Sequence, residues 1–287
     1  KRYEEHAYDL IVVGGGMSGL RAAIAAAKHG SHVALIHARP VLGGNASSEI
    51  RIHISGADQS LKQPDYAEGG MLYELMLENK KANPNYCYSI WDMVLFDAVK
   101  KQKNLEVYFN TVMYDAEAEN DTITAIYCVQ ETTEMRFKLT APLFVDATGN
   151  GTLGYYVGAE FRQGSESRKE TNEPHAPEEA NNERMGNTIL LKAVDMGHPV
   201  KFTPPAFAKP LTEEMLKKRI HCAKMRDHID VSESPDPEEY KRTSMTSSAC
   251  NDYGYWWLEL MGDGEDIIPD YEKIRDDLMG YCYGLWD

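Results

Sequence analysis

A glycine-rich turn between a strand and a helix is the feature that most limits what this chain can fold into. Residues 9–13, DLIVV, are apolar and β-branched, as in a buried parallel strand. Residues 17–29 are rich in alanine and predict a helix that ends before Gly30. The next predicted strand is 32–37, so the turn lies inside a β-α-β unit of about 30 residues. This order predicts an α/β fold with a parallel sheet.

The turn has the spacing G-x-G-x-x-G, formed by Gly14, Gly16 and Gly19. Gly14 permits the tight turn, and Gly16 lets a pyrophosphate approach the backbone. Gly19 lets the helix pack against the strand, with its first N–H groups directed at the anion. Glycine turns also serve packing alone, but the position between a strand and a helix predicts dinucleotide binding.

One residue departs from the dinucleotide-binding pattern. An Asp or Glu that bonds the ribose is expected at the end of the second strand, about 20 residues further on. This chain has His37 there. An imidazole nitrogen is able to bond a ribose hydroxyl, but a histidine that merely ends the strand fits the sequence equally well. The departure argues against NAD more than against a cofactor held by many other contacts.

Three further stretches favour FAD over NAD. Residues 38–49, ARPVLGGNASSE, form a polar loop whose backbone donors suit a pyrophosphate, although an ordinary surface turn is the alternative. Residues 105–146 predict a three-stranded β-meander that returns to the parallel sheet, where a nicotinamide domain would continue with alternating helices. Residues 144–160 repeat the order of strand, glycine turn and helix.

Together these segments resemble the bacterial FAD-dependent oxidoreductases that have the glutathione-reductase and fumarate-reductase type of FAD domain. The resemblance runs along almost the whole chain and is most specific in RPVLGGNASSEIR, residues 39–51, and WWLEL, residues 256–260. It implies a Rossmann-like FAD-binding domain over residues 1–160, and an irregular, α-rich cap or substrate domain over residues 161–287. It also implies a further C-terminal region, beyond residue 287, that covers the flavin.

The resemblance further implies which residues contact the FAD. They are Gly14, Gly16, Met17, Ser18 and Gly19 at the pyrophosphate; His37, Ala38 and Arg39 by the adenosine ribose; Gly43, Gly44, Asn45, Ala46, Ser47 and Ser48 on the flavin side; Met113, through its backbone, at the adenine; and Ala147, Thr148 and Gly149, which close the site.

Candidates for catalysis come from residues 49–58, EIRIHISGAD, which alternate between polar and apolar. The pattern predicts a strand with Glu49, Arg51 and His53 on one face. Arg51 would bind an anionic substrate or stabilise the reduced flavin, and His53 would move a proton beside hydride transfer. A surface strand with solvated polar residues is the alternative.

The aromatic run at 251–260 is either a core strand or a wall for sugar-like or planar substrates.

Composition narrows the class of partner. The formal net charge of −15 argues against nucleic acid and anionic membrane surfaces, and no apolar run approaches the roughly 20 residues of a membrane-spanning helix. Five scattered cysteines without a C-x-x-C argue against a disulfide framework or a zinc site. Glu173 and His175 lie in a proline-flanked loop, so no metal site is predicted. Cellular location and homo-oligomerisation stay open.

The sequence therefore predicts an FAD-dependent oxidoreductase that passes a hydride between a small organic substrate and the flavin. The resemblance favours carbohydrate-like substrates. Two alternatives stay open: an isomerase or lyase that uses the flavin without net redox change, and a dinucleotide-binding module without catalytic activity.

Overall fold

The computed structural model describes residues 3–52, 54, 69–194, 198–211, 253–259, 266 and 268–285. The chain divides into two compact units, Lys1–Phe161 and Arg162–Asp287. The assignment of a cofactor-binding domain to residues 1–160 and a substrate domain to residues 161–287 stays a prediction, because compactness does not show what a unit binds.

The first unit alternates strands and helices before it continues with consecutive strands. In chain order its elements are β1 (Glu4–Ala7), β2 (Leu10–Val13), α1 (Met17–Lys28), β3 (Val33–Ile36), a short 3-10 helix (Gly44–Ala46), α2 (Gly70–Ala82), α3 (Tyr88–Lys100), β4 (Leu105–Tyr108), β5 (Thr111–Glu119), β6 (Thr122–Gln130), β7 (Arg136–Thr140), β8 (Leu143–Asp146) and α4 (Thr152–Tyr156).

A parallel sheet lies at the centre of this unit, with strand order β4-β3-β2-β8. Every neighbouring pair in it is parallel. Successive residues of β2 face opposite sides: Val12 packs among the helices, whereas Ile11 and Val13 pack towards the other strands. Both faces are therefore covered, which explains why the strand is apolar at every position. The predicted α/β fold with a parallel sheet is confirmed.

Helix α1 covers one face of the sheet. It begins after Gly16, buries a stripe that includes Leu20, Ala23 and Ile24, and ends at Lys28. Gly30 follows with a φ of +97°, a left-handed conformation that favours glycine and stops the helix. The predicted helix over 17–29 and its stop at Gly30 agree with these bounds.

The meander covers the other face. Strands β5, β6 and β7 are consecutive and antiparallel, and β8 then returns to the parallel sheet beside β2. Asn120 and Asp121 connect β5 to β6 with φ values of 48° and 60°, as a tight hairpin turn requires. The sequence did not predict β1, a short exposed strand that pairs in parallel with β7.

The second unit contains α5 (Arg168–Thr171), β9 (Thr188–Val194), β10 (Tyr253–Glu259) and α6 (Tyr271–Gly284) within its described residues. Strands β9 and β10 form an antiparallel pair, and Leu258 packs with Ile274 and Leu278 of α6. Strand β10 falls within residues 251–260, where the sequence allowed a core strand, whereas β9 was not predicted in the domain expected to be irregular and α-rich. Residues 212–252, which belong to the domain expected to be α-rich, lie outside the described residues.

Two features are absent from the described residues. None of the helices there is long and apolar enough to span a bilayer. The same residues contain no group of three or more His, Cys, Asp or Glu side chains arranged to hold a metal ion.

Candidate cofactor-binding site

The site lies where β2, β3 and β8 end. After β2 the chain places β3 and β4 on one side of that strand, and later places β8 on the other side. Such a reversal leaves a crevice at the carboxyl ends of the strands, where open α/β sheets bind ligands. The turn after β2 and the turn after β8 both open into this crevice.

Two glycines of the first turn are required by packing. Gly14 has a φ of +107°, and a Cβ atom added there would lie 2.2 Å from the carbonyl oxygen of Ala147. A Cβ atom added to Gly19 would lie 1.8 Å from the carbonyl oxygen of Gly14. Both obstructing atoms belong to the backbone and cannot rotate away. Gly14 and Gly19 therefore allow the two turns and α1 to come together.

Gly16 differs from the other two. Its φ of −64° is accessible to any residue, and no described atom lies within 4 Å of a Cβ atom added to it. Helix α1 begins at Gly16 with no capping side chain and no acidic residue in its first turn. The space beside Gly16 is thus open at the N-terminus of α1, an arrangement that fits a pyrophosphate. Met17, half-buried, and Ser18, exposed, follow in the same turn.

His37 joins this turn to the loop that follows β3. Its Nδ1 accepts the backbone N–H of Gly15 at 2.9 Å, and its Nε2 lies 2.8 Å from the carbonyl oxygen of Val41. The residue is buried, and burial lowers the pKa of the imidazole. Both ring nitrogens are used inside the chain, which leaves no ring atom for the ribose hydroxyl considered in the sequence analysis.

The loop after β3, residues 38–51, runs beside the glycine turn. Gly43 donates its N–H to the carbonyl oxygen of Gly15 at 2.9 Å, and Gly16 and Gly43 form a parallel bridge. A Cβ atom added to Gly44 would lie 3.1 Å from the Cα of Gly16. Gly43 and Gly44 also have φ values of 107° and 59°, a left-handed conformation that favours glycine at both positions. Ala38 and Arg39 are exposed at the start of this loop.

Helix α3 supports the 38–51 loop from below. The indole N–H of Trp91 donates to the carbonyl oxygen of Ala46 at 3.0 Å. A carboxylate oxygen of Asp92 accepts the N–H of Ser48 at 3.0 Å. Trp91 and Asp92 are adjacent on the face that α3 turns towards the loop. Asn45 of the short 3-10 helix is exposed, and Ser47 is fully buried.

This support was missed by sequence reasoning. Residues 88–95, YSIWDMVL, belong to the resemblance, but nothing in their pattern shows that they contact residues more than 40 positions earlier. The signal available was a tryptophan and an aspartate in an otherwise apolar helix, since such groups need polar partners when buried.

The sequence predicts a strand at 49–58, but the residues of this range that the structure describes, 49–52 and 54, do not form one. Residues 48–50 form a turn, and Arg51 has a φ of 64°. Glu49 forms a two-bond ion pair with Arg39, while Arg51 donates its Nε–H to the carbonyl oxygen of Ser48 at 2.9 Å. Glu49 and Arg51 therefore do not share a strand face, and that expectation is wrong. His53 lies outside the described residues. The catalytic roles of Arg51 and His53 stay predictions.

The second glycine turn is held by Asp146 at the end of β8. Its carboxylate accepts the N–H and the hydroxyl of Thr148 and the N–H of Gly154. Burial raises the pKa of Asp146, but these hydrogen bonds outweigh it, so the pKa lies below its ordinary value. Ala147 donates its N–H to Val13, and Gly149 follows with a φ of 85°. The turn is thereby fixed against the first.

Met113 lies further along the meander. It is buried in β5 at an irregular point of the pairing with β6, where the register shifts between Met113 and Asp115. A backbone at such an irregularity has N–H and C=O groups that the ladder does not use. Its predicted contact with the adenine stays a prediction.

Comparison with known proteins assigns the chain to a family. The sequence profile of the FAD dependent oxidoreductases matches residues 9–282. The chain belongs to the FAD-dependent oxidoreductase family. The cofactor of this family is FAD, and the open space at Gly16 and the uncapped start of α1 fit the pyrophosphate of FAD.

Individual relatives share only parts of the chain. A stretch of 59 residues is 44% identical to the soluble pyridine nucleotide transhydrogenase of Marinobacter nauticus. This stretch covers 21% of this chain and 13% of that protein. Among solved structures, the chain is similar to L-proline dehydrogenase from P. horikoshii, with 19% identity, 52% of this chain and 24% of that chain covered, and a TM-score of 0.32. It is also similar to p-nitrophenol 4-monooxygenase from Pseudomonas putida, with 14% identity and a TM-score of 0.39. That match covers 56% of this chain and 45% of the monooxygenase chain. The match spans less than half the length of each of these proteins.

Proposed function

We propose that the chain binds FAD in the crevice at the carboxyl ends of β2, β3 and β8, and that the whole protein is an oxidoreductase. The observation that carries this proposal is the open space at Gly16, beside the uncapped N-terminus of α1. The backbone N–H groups from Gly16 to Ser18 would bind the pyrophosphate. The 38–51 loop, fixed against the turn by Gly43, would extend along the cofactor towards the flavin.

When bound, FAD supplies a two-electron acceptor for a hydride. A small organic substrate would give up a hydride to it and a proton to a nearby base or to water, so that the substrate is oxidised by two electrons. The chain's own residues would bind, orient and keep water from the reacting groups. We propose Arg51 and His53 for these tasks, in the roles given by the sequence analysis, because both follow directly on the 38–51 loop.

A carbohydrate-like substrate is the finer proposal, supported by the family resemblance and by the aromatic residues in the sequence 251–260. The alternatives differ in a measurable way. An isomerase or lyase would use FAD without net transfer of electrons, and a binding module would hold FAD without reacting with any substrate. Anaerobic photoreduction of the flavin, followed by addition of candidate oxidised substrates, separates them: reoxidation by a substrate supports the oxidoreductase.

The experiment that tests cofactor binding is Gly16→Val, followed by titration with FAD and measurement of flavin fluorescence quenching. The valine side chain would occupy the space assigned to the pyrophosphate. Loss of hydrogen bonds to a charged group, at about 1.5–3 kcal/mol each, predicts a roughly hundredfold or larger rise in the dissociation constant. The unfolding free energy should change little, because the φ of Gly16 suits a side chain.

Gly69→Val is the matched control. Gly69 is also the residue that precedes a helix, its φ is −105°, and no described atom lies within 4 Å of an added Cβ atom. This variant should bind FAD like the unchanged chain. Equal affinity of the Gly16→Val and Gly69→Val variants would contradict the assignment of Gly16 to the pyrophosphate.

A further inference from the structure

We propose that His37 is a positioning residue that joins the glycine turn to the 38–51 loop in its neutral form, with the proton on Nε2. This proposal rests on FAD binding as the proposed function and adds a residue on which the shape of the site depends. His37 would act on the cofactor through the two loops and not by contact.

The hydrogen bonds assign the position of the proton. Nδ1 receives the N–H of Gly15 at 2.9 Å, so this nitrogen must carry the lone pair. Nε2 lies 2.8 Å from the carbonyl oxygen of Val41, which can only accept, so Nε2 must carry the proton. One ring thus connects a donor of the glycine turn with an acceptor of the 38–51 loop.

The backbone of His37 is fixed as firmly as its ring. Its N–H donates to the carbonyl oxygen of Tyr108, and its own carbonyl oxygen accepts the N–H of Thr111, both at 2.9 Å. These bonds connect the end of β3 to β4 and to the start of β5. With 6% of its surface exposed, His37 has little freedom to reorient.

The ring also explains a glycine outside the G-x-G-x-x-G spacing. A Cβ atom added to Gly15 would lie 2.5 Å from Cγ of His37 and 2.9 Å from its Cβ and Cδ2 atoms. Gly15 has no positive φ in the structure, so its backbone conformation does not require glycine. Glycine is required at position 15 because the imidazole of His37 occupies the space that a Cβ atom would need.

A carboxylate could not replace this connection. An aspartate or glutamate at position 37 would accept the N–H of Gly15 but would meet the carbonyl oxygen of Val41 with a second acceptor. Glutamine has both functions, since its amide oxygen accepts and its amide nitrogen donates. Glutamine is also without a titration near neutral pH, which makes His37→Gln the informative conservative variant.

Protonation of the ring would break the connection, because Nδ1 would then carry a proton directed at the N–H of Gly15. The charged groups that act on the ring are Glu49, which favours protonation, and Arg39, which opposes it. On β4 the side chain of Tyr108 is hydrogen-bonded to Tyr8 and is neutral at this pH range. Burial has the largest effect and lowers the pKa of His37.

The sign of the pH dependence follows from the lowered pKa. Above about pH 6.5, the ordinary value for histidine, the ring is neutral in both the folded and the unfolded chain. Below it the unfolded chain takes up a proton that the folded chain resists, so stability falls with decreasing pH until the folded pKa is passed. FAD affinity should fall over the acid part of the same range, as the folded chain loses the connection.

The first test is independent of FAD. In the nitrogen-15 NMR spectrum of the chain without FAD at pH 8, the His37 signals, assigned by their loss in His37→Gln, should show an unprotonated Nδ1 and a protonated Nε2. The opposite tautomer, or rapid averaging between the two, would overturn the proposal even if FAD binds.

The second test is a double-mutant cycle of Gly15→Ala and His37→Ala, read out by FAD titration at pH 8 and by urea unfolding. In the unchanged background, Gly15→Ala displaces the ring and should weaken FAD binding roughly tenfold or more. In the His37→Ala background the added methyl group has room, and the further loss should be less than about threefold. Equal effects in both backgrounds would overturn the proposal.

The third test is the pH dependence of FAD affinity, which distinguishes a positioning role of His37 from a purely structural one. As the pH falls through the folded-state pKa of His37, located by NMR titration, the affinity of the unchanged chain for FAD should fall relative to that of His37→Gln, whose profile lacks this titration. Parallel profiles would contradict the proposal. If the unchanged chain binds no FAD at all, the proposed function fails, and the NMR assignment and the unfolding arm of the cycle still decide the role of His37.

Discussion

The two loops at the crevice obtain their shapes in different ways. The turn at 14–19 is shaped by the absence of side chains, because backbone atoms lie where Cβ atoms of Gly14 and Gly19 would be. The 38–51 loop is shaped largely by side chains of a distant helix, through the hydrogen bonds of Trp91 and Asp92. The first loop is specified by its own glycines, although the backbone that Gly14 meets belongs to Ala147, whereas the second depends on side chains more than 40 positions away.

This difference determines how each loop responds to substitution. A steric requirement met by backbone atoms leaves no alternative arrangement, so a single methyl group disrupts the turn. A loop held by several separate hydrogen bonds loses them one at a time, each at a modest free-energy cost. Substitutions of Gly14 and Gly19 should therefore affect folding first, whereas substitutions under the loop should affect the site first.

The largest effect is expected for Gly19→Ala. Alanine is favoured over glycine in a helix by about 1 kcal/mol, but the added Cβ atom would lie 1.8 Å from the carbonyl oxygen of Gly14. Separating these atoms requires a shift of α1 away from β2. We expect the unfolding free energy, measured in urea, to fall by roughly 3 kcal/mol or more.

Gly69→Ala provides the comparison for this measurement, since an added Cβ atom there meets no described atom within 4 Å. It should change the unfolding free energy by no more than about 0.5 kcal/mol. A Gly19→Ala chain as stable as the Gly69→Ala chain would show that the turn is not shaped by steric exclusion.

An intermediate effect is expected for Asp92→Ala. This substitution removes the carboxylate that accepts the N–H of Ser48, a bond worth about 1.5–3 kcal/mol when the acceptor is charged. The 38–51 loop should loosen, so FAD titration should show a several-fold weaker affinity together with the loss of stability. Asp92→Asn keeps an acceptor oxygen and should recover most of both. If Asp92→Asn is as damaging as Asp92→Ala, the hydrogen bond is not what supports the loop.

Much of the first loop and its surroundings could be predicted from the sequence. The alternation of β2 between two buried faces gives an unbroken apolar strand, and the alanine-rich stretch followed by Gly30 marks α1. These signals are local, because strand and helix periodicity and glycine conformation are properties of neighbouring residues. The same holds for the Asn120-Asp121 turn of the meander.

The second loop and β1 could not be predicted in this way. Strand β1, EEHA, has no apolar face and exists because β7 offers a partner edge. The segment from Glu49 has a strand-like alternation, but the bonds to α3 and the left-handed conformation of Arg51 turn it instead. His37 at the end of β3 was recognised as a departure, whereas its two partners became apparent only from the fold. In each case tertiary contacts override the local pattern.

The smallest effect is expected for Glu49→Gln, at the exposed edge of the 38–51 loop. Glu49 pairs with Arg39 through two hydrogen bonds, but Arg39 is 60% exposed, so water and salt weaken the attraction. Exposed ion pairs contribute about 0.2–1 kcal/mol, and the glutamine oxygen keeps one of the two bonds. We expect urea unfolding to show a loss below about 1 kcal/mol at low salt that disappears in about 1 M salt, where charges are screened within about 3 Å. A loss that persists at high salt would mean that Glu49 supports the loop through its shape and hydrogen bonds, as Asp92 does, and the exposed edge would then be as tightly specified as the side that faces α3.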